Sequence, residues 1–483
     1  MLNNYTFKSK ELCEKNLNIN LNPKFKTFKQ FVFTCGDKDD LKKKIIKPRN
    51  KDKNNFIKDK NIIKLSELPE LSNQINNLFI NYPLYKIVSR EEAFRNTLKY
   101  LFFKIKFGIY VQIKSNKLTM FVPFNNQNFK NNWSNLIKLE DNITWDEYNK
   151  KKTKDIGLNY INWEKNMSKW EIDNCVLDNR ANRNYKLINA SYYISMFNET
   201  LKKRKINDVE FFINHRDFPI LKNDYTQPYN HLYNSELIPL EKKYQQKYYL
   251  PIMSMSSHTK FMDIMLPTVD DWEIVNQSIH HGMCRDQYIN FEKKIEINWD
   301  NKIDRVIFRG ATTDCGFNSL TSARYLVHKL SQMKEIDGLD AGITKLWFND
   351  IKLSNMAIHY PERIETIKPI LFTEMSNYKY ILNIDGSVTA FRLSAELAFG
   401  SVILKVDSDY KIWYLDLLKP YIHYIPINKD LSDLKEKIEW CKQNQDKCRS
   451  ISINSRKFYL EYINKEKIMD YIEKTLNLVS NYI

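Results

Sequence analysis

The C-terminal half of the chain alternates short apolar strands with helices, and this alternation restricts the fold more than any other feature. The strand-like segments are 305–310, 378–386, 401–406 and 423–427, and the helix-like segments are 322–333, 389–400 and 430–443. Strands that alternate with helices form a parallel sheet with helices on both faces. The sequence therefore predicts an α/β fold in this half.

The first half shows similar elements less regularly. Residues 91–105 have apolar side chains at helical spacing, and residues 108–124 alternate as the two strands of a hairpin do. A predicted helix at 192–205 precedes a strand at 208–215, which ends in Arg216-Asp217-Phe218-Pro219. Because 483 residues exceed what one core usually serves, we expect two domains.

The ends of the predicted strands are the expected places for a ligand, because ligands of parallel α/β sheets bind beyond the carboxyl ends of the strands. Small residues after strand 378–386 let backbone N–H groups approach a phosphate closely. Arg392, in the first turn of the next predicted helix, can bind two oxygens of a diphosphate. The alternative is an ordinary strand–turn–helix connection with a surface arginine.

A second basic strand end lies in FRGATTDCGF, at residues 308–317. Arg309 ends the strand, and Thr312 and Thr313 supply hydroxyls. Arg324 begins the next predicted helix, where a cation opposes the helix dipole unless an anion is bound. These residues indicate an anion site, and the alternative is an arginine paired with a nearby carboxylate.

Two patterns have a weak likeness to metal sites. Asp407-Ser408-Asp409 has the D-x-D spacing that holds a divalent cation in some glycosyltransferases, but three loop residues meet this pattern easily by chance. His280-His281 and His423 lack the spaced partners of a zinc site. We predict no metal ion and no cofactor.

The net charge of +17 raises the question of a polyanionic partner. The lysines occur together with many Asn, Ile and Tyr residues, as an AT-rich genome would encode them, so we do not expect a nucleic-acid partner. The seven cysteines form no CxxC pair, and no run of about 18 apolar residues occurs, so we expect no membrane span. We also expect neither a signal peptide nor an endoplasmic-reticulum retention signal. These features favour a cytoplasmic location without a membrane span.

Several segments together resemble glycosyltransferase family 90. They are VEFFINHRDFP (209–219), SMSSHTKFMDIMLPT (254–268), FRGATT (308–313), IDGSVTAFR (384–392) and the most specific one, residues 400–440, which contains the order W-Y, L-K-P, H-Y-I-P. This family includes the Rumi-type protein O-glucosyltransferases and the fungal capsule-associated xylosyltransferases. Upstream segments are similar to members from algae and large DNA viruses, and for a viral member the expected location is the cytoplasm of the infected host cell.

The resemblance implies a fold and a domain arrangement. It implies a GT-B fold, in which two Rossmann-like domains face each other across a cleft, here with a polar N-terminal extension. The expected parts are the extension at 1–80, an acceptor-side domain at 81–295, a UDP-sugar domain at 296–460, and a C-terminal helix at 461–483 that crosses back to the first domain.

The resemblance also implies which residues bind the donor. The contact in the FRG loop falls on Ala311, where relatives have Ser, so we expect Thr312 to substitute for the missing hydroxyl. Arg309 and Arg324 flank this loop. The expected residues at the start of the following helix are Val388, Thr389, Ala390, Phe391 and Arg392.

The catalytic base departs from the family pattern. Inverting transfer needs a carboxylate that takes the proton of the acceptor hydroxyl. In the O-glucosyltransferases this base is an Asp directly before a Cys, and the equivalent position here is Asn174, before Cys175. Asn cannot accept the proton, so we predict Asp217 or Asp173 as the base, with Asp178 as a further neighbour. Each of these carboxylates has an alternative structural role in a turn or an ion pair.

The sequence and the resemblance together predict an inverting, metal-independent glycosyltransferase. It would move glucose or xylose from a UDP-sugar to a hydroxyl of a protein or glycan acceptor. The alternative is a catalytically inactive protein of the same fold that binds polyanions or has a structural role. Asn174 and Ala311 favour this alternative.

Overall fold

The structure is a computed structural model and describes residues 90–105, 107–125, 185–214, 216–228, 239–276, 288, 290–314, 322–346 and 364–481. The helices described are α1 (Arg90–Lys99), α2 (Tyr185–Lys203), α3 (Val269–Asn276), α4 (Phe291–Lys294), α5 (Ala323–Gln332), α6 (Leu393–Ala398), α7 (Leu434–Gln443), α8 (Gln445–Tyr462) and α9 (Lys465–Ser480). The strands described are β1 (Phe107–Lys114), β2 (Lys117–Asn125), β3 (Val209–Ile213), β4 (Ile252–Ser254), β5 (Ser257–His258), β6 (Ile264–Met265), β7 (Ile303–Ala311), β8 (Leu339–Lys345), β9 (Tyr378–Asn383), β10 (Val402–Val406), β11 (Tyr410–Lys411) and β12 (Ile425–Ile427). The predicted α/β class is confirmed, and the predicted extension at 1–80 lies outside the described residues.

The first sheet is mixed and has the strand order β2-β1-β3-β4-β6. β1 pairs antiparallel with β2 and β3, whereas β3, β4 and β6 run parallel. Ser115 and Asn116 form the turn between β1 and β2, and both have a positive φ, of 49° and 55°. A two-residue hairpin turn of this kind requires such angles, so the predicted hairpin is confirmed.

The second sheet is entirely parallel and has the order β12-β10-β9-β7-β8. The parallel sheet predicted from the alternating elements is therefore confirmed. Successive residues of its central strand face opposite sides, since Ile381 belongs to one apolar cluster and Leu382 to the other. The two sheets are consistent with two Rossmann-like domains.

The two halves of the chain are joined by apolar packing and by polar contacts. β5 of the first half pairs antiparallel with β11 of the second half, which places His258 opposite Tyr410. The C-terminal helix α9 lies against α2 and β3 of the first half. There, Tyr471 donates a hydrogen bond of 2.9 Å to the carbonyl oxygen of Met265. None of the helices described is long and apolar enough to cross a membrane.

The helix after β9 is shorter than predicted. It begins at Leu393 instead of residue 389, and Gly400, with a φ of 61°, follows its end as predicted. Residues 388–391 form a loop, in which the Asp385 carboxylate accepts a hydrogen bond of 3.0 Å from the backbone N–H of Ala390. The predicted helix start at residue 389 is therefore wrong, and Arg392 is the N-cap residue directly before α6. Because α6 has only six residues, we do not assign an anion site to the N-terminus of this helix. The group that can bind an anion here is the side chain of Arg392.

Candidate active site

The loops that follow β7 and β9 touch each other at the carboxyl edge of the second sheet. The Ser387 hydroxyl donates a hydrogen bond of 2.7 Å to the carbonyl oxygen of Thr313. Arg392 Nη1 donates a hydrogen bond of 2.8 Å to the carbonyl oxygen of Arg309. Adjacent parallel strands β7 and β9 bring these loops together, as the sequence indicated.

Arg324 is buried between the two loops and holds them together. Its guanidinium donates hydrogen bonds to the carbonyl oxygens of Asp385 (2.8 Å), Ala311 (2.8 Å) and Ile384 (2.9 Å) and to Thr313 Oγ1 (2.7 Å). Burial lowers the pKa of Arg324 to about 10, and repulsion from Arg392 acts in the same direction. These acceptors occupy most of the five N–H groups of an arginine, so Arg324 fixes the shape of this edge.

Arg309 points toward β8. Its Nη2 pairs with Asp340 Oδ1 at 2.6 Å, and its Nη1 donates to the carbonyl oxygens of Phe308 and Asp340, at 2.9 and 2.8 Å. The sequence left open that this residue forms an ion pair with a nearby carboxylate. That alternative describes Arg309 in this structure.

Arg392 keeps hydrogen-bonding capacity that its neighbours do not use. Its Nε lies 2.7 Å from Glu396 Oε1. Its Nη2 is buried and has no hydrogen-bond partner among the described residues. A buried donor without an acceptor is costly, and an anionic ligand at this place would supply the acceptor. Arg392 and Arg324 both lie over the Phe308 ring, at 5.6 and 5.8 Å from its centre.

The other predicted donor residues differ in exposure. Val388, Thr389 and Ala390 are buried, whereas Phe391 and Ala311 are half-buried. Thr312, which we expected to replace a missing hydroxyl, is only 1% exposed. The half-buried Thr313 is the threonine whose hydroxyl accepts from Arg324.

Asp217 lies in the loop after β3. Hydrogen bonds from side chains fix the conformation of this loop. Asn214 Oδ1 accepts from the backbone N–H of Arg216 at 3.0 Å, and Asn214 Nδ2 donates to the carbonyl oxygen of Phe218 at 2.7 Å. The Ser256 hydroxyl donates to the carbonyl oxygen of Asp217 at 2.6 Å. The backbone of Asp217 is therefore fixed from two sides.

The Asp263 carboxylate binds the backbone just after the same loop. It accepts from the backbone N–H groups of Ile220 and Leu221, at 3.0 and 2.8 Å, and from the Ser254 hydroxyl at 2.5 Å. Burial raises the pKa of Asp263 to about 6, although these hydrogen bonds act in the opposite direction.

Asp217 is an exposed residue, although neighbouring protein atoms displace water from around its carboxyl. This enclosure raises the pKa of Asp217, and the charge of Asp270 raises it further, whereas Arg216 lowers it. Asp270 is itself held by Tyr288, whose hydroxyl donates a hydrogen bond of 2.8 Å to Oδ1. An accessible carboxyl with a raised pKa is suited to accept a proton in catalysis. Asp173, Asn174 and Asp178 lie outside the described residues, so Asp173 stays a prediction.

Helix α3 connects this region with the second half. The residue after Asp270 is Asp271, which is fully buried and accepts a hydrogen bond of 2.8 Å from Trp413 Nε1. Asp270, Asp271 and Glu396 were not predicted as site residues from the sequence. One signal was available, because Glu396 stands four residues after Arg392, the spacing at which helical side chains pair.

The residues that resembled metal sites have other partners. Asp409 pairs with Lys429 at 2.7 Å on the surface, and His423 Nδ1 accepts from the backbone N–H of Lys419 at 2.9 Å. His280-His281 lies outside the described residues. Within the part of the chain that the structure describes, no group of three or more His, Cys, Asp or Glu side chains is placed to hold a metal ion.

Comparison with known proteins gives both viral and animal relatives. The chain is 34% identical over 501 residues to uncharacterized protein 035R of Invertebrate iridescent virus 3. This alignment covers 98% of this chain and 44% of that protein. It is 28% identical to protein O-glucosyltransferase 2 of Danio rerio, over 56% of this chain and 47% of that protein. It is 25% identical to human protein O-glucosyltransferase 3, over 60% of this chain and 50% of that protein. The chain thus spans half or less of the length of these relatives.

One family model matches a part of the chain that includes the loop with Asp217 and the loops after β7 and β9. The family described as Glycosyl transferase family 90 matches residues 164–483, which include β3, the whole second sheet and α9. This match confirms the resemblance noted in the sequence. The chain therefore belongs to glycosyl transferase family 90, and its relatives include viral proteins and protein O-glucosyltransferases.

Proposed function

We propose that the protein transfers a sugar, glucose or xylose, from a UDP-sugar to a hydroxyl of a protein or glycan, with inversion and without a metal ion. The observation that carries this proposal is the buried Nη2 of Arg392, which has no hydrogen-bond partner among the described residues and lies where the loops after β7 and β9 meet. A diphosphate oxygen is a suitable acceptor for this nitrogen, because guanidinium groups form strong charge-assisted hydrogen bonds with phosphates. The names of the O-glucosyltransferase relatives support the sugar class.

The electrostatics of this edge support an anionic leaving group. Arg392 and Arg324 are close enough that the charge of Arg392 lowers the pKa of Arg324. Such mutual repulsion is relieved when a diphosphate binds, and relief increases as negative charge develops on the departing UDP. Two arginines can therefore perform the role that a divalent cation has in metal-dependent transferases.

We assign the proton transfer to Asp217, in a GT-B arrangement with the acceptor domain at 81–295 and the donor domain at 296–460. The acceptor hydroxyl attacks the anomeric carbon from the face opposite UDP, its proton passes to the Asp217 carboxylate, and the bond to UDP breaks. The raised pKa of Asp217 brings its basicity closer to neutral pH, where a general base is most efficient. Pairing of β5 with β11 supports the approach of the two domains at one end of the cleft.

Calorimetry with UDP tests the donor site. We expect the wild type to bind UDP and the Arg392→Ala variant to lose binding by at least about 100-fold, because a charge-assisted, partly buried contact disappears. Arg449→Ala is the matched control, since Arg449 is exposed and pairs only loosely with Asp300 at 3.4 Å. Equal UDP affinity in the wild type and Arg392→Ala would remove the donor-site assignment.

A donor panel tests the reaction itself. Hydrolysis of one UDP-sugar by the purified protein, followed as release of UDP, would identify the sugar. Asp217→Asn should reduce this rate by about 100-fold to 10,000-fold, the usual contribution of a general base, while UDP still binds. An unchanged rate would show that Asp217 is not the base, and Asp173 would then be the next candidate.

A second function has specific support in the sequence. Asn174 occupies the place of the family's base and Ala311 the place of a donor-binding serine, which fits a protein that kept the fold and binds polyanions without catalysis. This function predicts nucleic-acid binding that weakens steeply with salt and is insensitive to UDP. UDP binding with turnover of a UDP-sugar would exclude it.

A further inference from the structure

Glu396 is a fully buried carboxylate at the proposed donor site. Its exposed fraction is 0%, and its two oxygens face different partners. Oε1 lies 2.7 Å from Arg392 Nε, and Oε2 accepts a hydrogen bond of 2.6 Å from Asn383 Nδ2 at the end of β9. Asn383 is itself buried, with 1% exposure, so the contact is anchored in the sheet.

Burial of this carboxylate is unfavourable unless its partners compensate for the lost hydration. Burial raises the pKa of Glu396, while Arg392 and the hydrogen bond from Asn383 act against the rise. The three residues thus form one connected group, which runs from the sheet through the carboxylate to the guanidinium.

The connected group determines the direction of the Arg392 guanidinium. Nε forms an ion pair with Glu396, and Nη1 donates a hydrogen bond to the carbonyl oxygen of Arg309, so Nη2 is the nitrogen of this guanidinium with neither kind of partner among the described residues. A free arginine side chain has many rotamers, and two fixed contacts remove most of that freedom before a ligand arrives.

We propose that Glu396, held by Asn383, is a positioning residue that orients Arg392 for the diphosphate of the donor. This inference rests on the proposed donor site. Glu396 does not touch the donor, and its effect on affinity comes from fixing Arg392 in advance of binding.

Charge alone predicts the opposite effect of removing Glu396. The Glu396→Gln change removes one negative charge next to two arginines, which should strengthen the attraction for UDP. Positioning predicts weaker binding, because Gln cannot pair with the guanidinium as a carboxylate does and Arg392 then loses its fixed direction. The sign of the change in affinity therefore separates the two effects.

The test is calorimetric titration of the full chain with UDP, which gives the affinity for UDP. The affinity for uridine is measured in a second titration, in which UDP displaces bound uridine. Glu396→Gln should weaken UDP binding by about 10-fold to 100-fold, the range of one charge-assisted hydrogen bond, and leave uridine binding unchanged. Asn383→Ala should weaken UDP binding in the same direction but less, because the ion pair with Arg392 remains. Glu439→Gln is the control, since Glu439 is an exposed partner of Lys442.

Unchanged or tighter UDP binding in Glu396→Gln, with uridine binding retained, would overturn the positioning role. If that variant does not bind uridine, its fold is lost, and Asn383→Ala decides: an affinity for UDP equal to the wild type would then overturn the proposal. Failure of the donor site itself has a different signature. In that case the wild type and Arg392→Ala bind UDP equally, whatever Glu396→Gln does.

Discussion

A β-carbon placed on Gly386 would lie 2.8 Å from Thr313 Oγ1. That distance is shorter than carbon and oxygen tolerate without a shift, so the loop after β9 packs on the loop after β7 with no room for a side chain. The neighbouring Arg324 guanidinium, 3.5 Å from the same point, cannot yield either, because its hydrogen bonds hold both loops. The close approach of these loops is what brings Arg392 to the backbone of Arg309.

We expect Gly386→Ala to separate the two loops and to weaken UDP binding by about 10-fold or more, as misplacement of binding groups by a fraction of an ångström does. The melting temperature should fall only slightly, because the change lies at the edge of the sheet. Gly400→Ala is an informative comparison, since a β-carbon there meets nothing within 4 Å, although its φ of 61° adds strain. UDP affinity that is reduced in Gly400→Ala and not in Gly386→Ala would contradict this account.

The pH dependence of turnover should report the carboxylates around Asp217. A base must be deprotonated, so kcat/KM falls as the pH drops through the pKa of Asp217, which enclosure and Asp270 raise above the ordinary value. Asp270→Asn removes the repulsion but keeps the oxygen that accepts from Tyr288. The acid limb of the UDP-sugar hydrolysis profile should therefore move to lower pH.

Asp300→Asn serves as the control for this shift, because Asp300 is exposed and its partner is Arg449. An acid limb at the same pH in Asp270→Asn and the wild type would show that Asp217 is not the group that titrates.

The loop that carries Asp217 should also be sensitive to Ser256. Ser256→Ala removes the hydrogen bond to the carbonyl oxygen of Asp217 without changing charge. We expect kcat of UDP-sugar hydrolysis to fall by about 10-fold, while the Kd for UDP stays unchanged, because only the base is displaced. A variant with wild-type kcat would mean that Asn214 alone suffices to hold the loop.

Four of the five strands of the second sheet (β7, β9, β10 and β12) were predictable because their signals are local, whereas the edge strand β8 was not predicted. Each of the four has its own run of apolar residues, and Gly400 marks the end of α6 by its sequence position alone. The start of α6 was not predictable in this way. It depends on the Asp385 side chain, which binds the backbone of Ala390 and draws residues 388–391 into a loop.

The roles of the arginines needed tertiary information. In the sequence one arginine, Arg309, stood at a strand end and two, Arg324 and Arg392, stood at the start of predicted helices, but only contacts between distant residues distinguish their roles. Arg309 pairs with Asp340, 31 positions away, and Arg324 binds backbone oxygens as far as 61 positions away. Of the three, only Arg392 has its ion-pair partner close in the sequence, because Glu396 is four positions away. This pair could therefore have been predicted from the sequence.

The stability of the chain should change with pH through Asp271, which joins α3 to Trp413. Burial raises the pKa of Asp271 to about 6 in the folded protein, whereas an unfolded Asp has a pKa of about 3.9. Between these values the folded state keeps a proton that the unfolded state has released. The contribution of Asp271 to stability is therefore largest at low pH and declines as the pH rises through about 6, by roughly 3 kcal/mol in total.

Asp271→Asn removes this titration but keeps an oxygen that can accept from Trp413. We expect the wild type to lose stability relative to Asp271→Asn as the pH rises from about 4 to 7, which covers the interval between the two pKa values and the range just above it. Asp263 titrates in the same range, because burial also raises its pKa to about 6, but it is present in both proteins and cancels in the difference. Thermal unfolding of both proteins across this window measures the effect, and parallel curves would mean that Asp271 stays charged in the folded protein because the hydrogen bonds from Trp413 and the Thr268 backbone compensate fully for its burial.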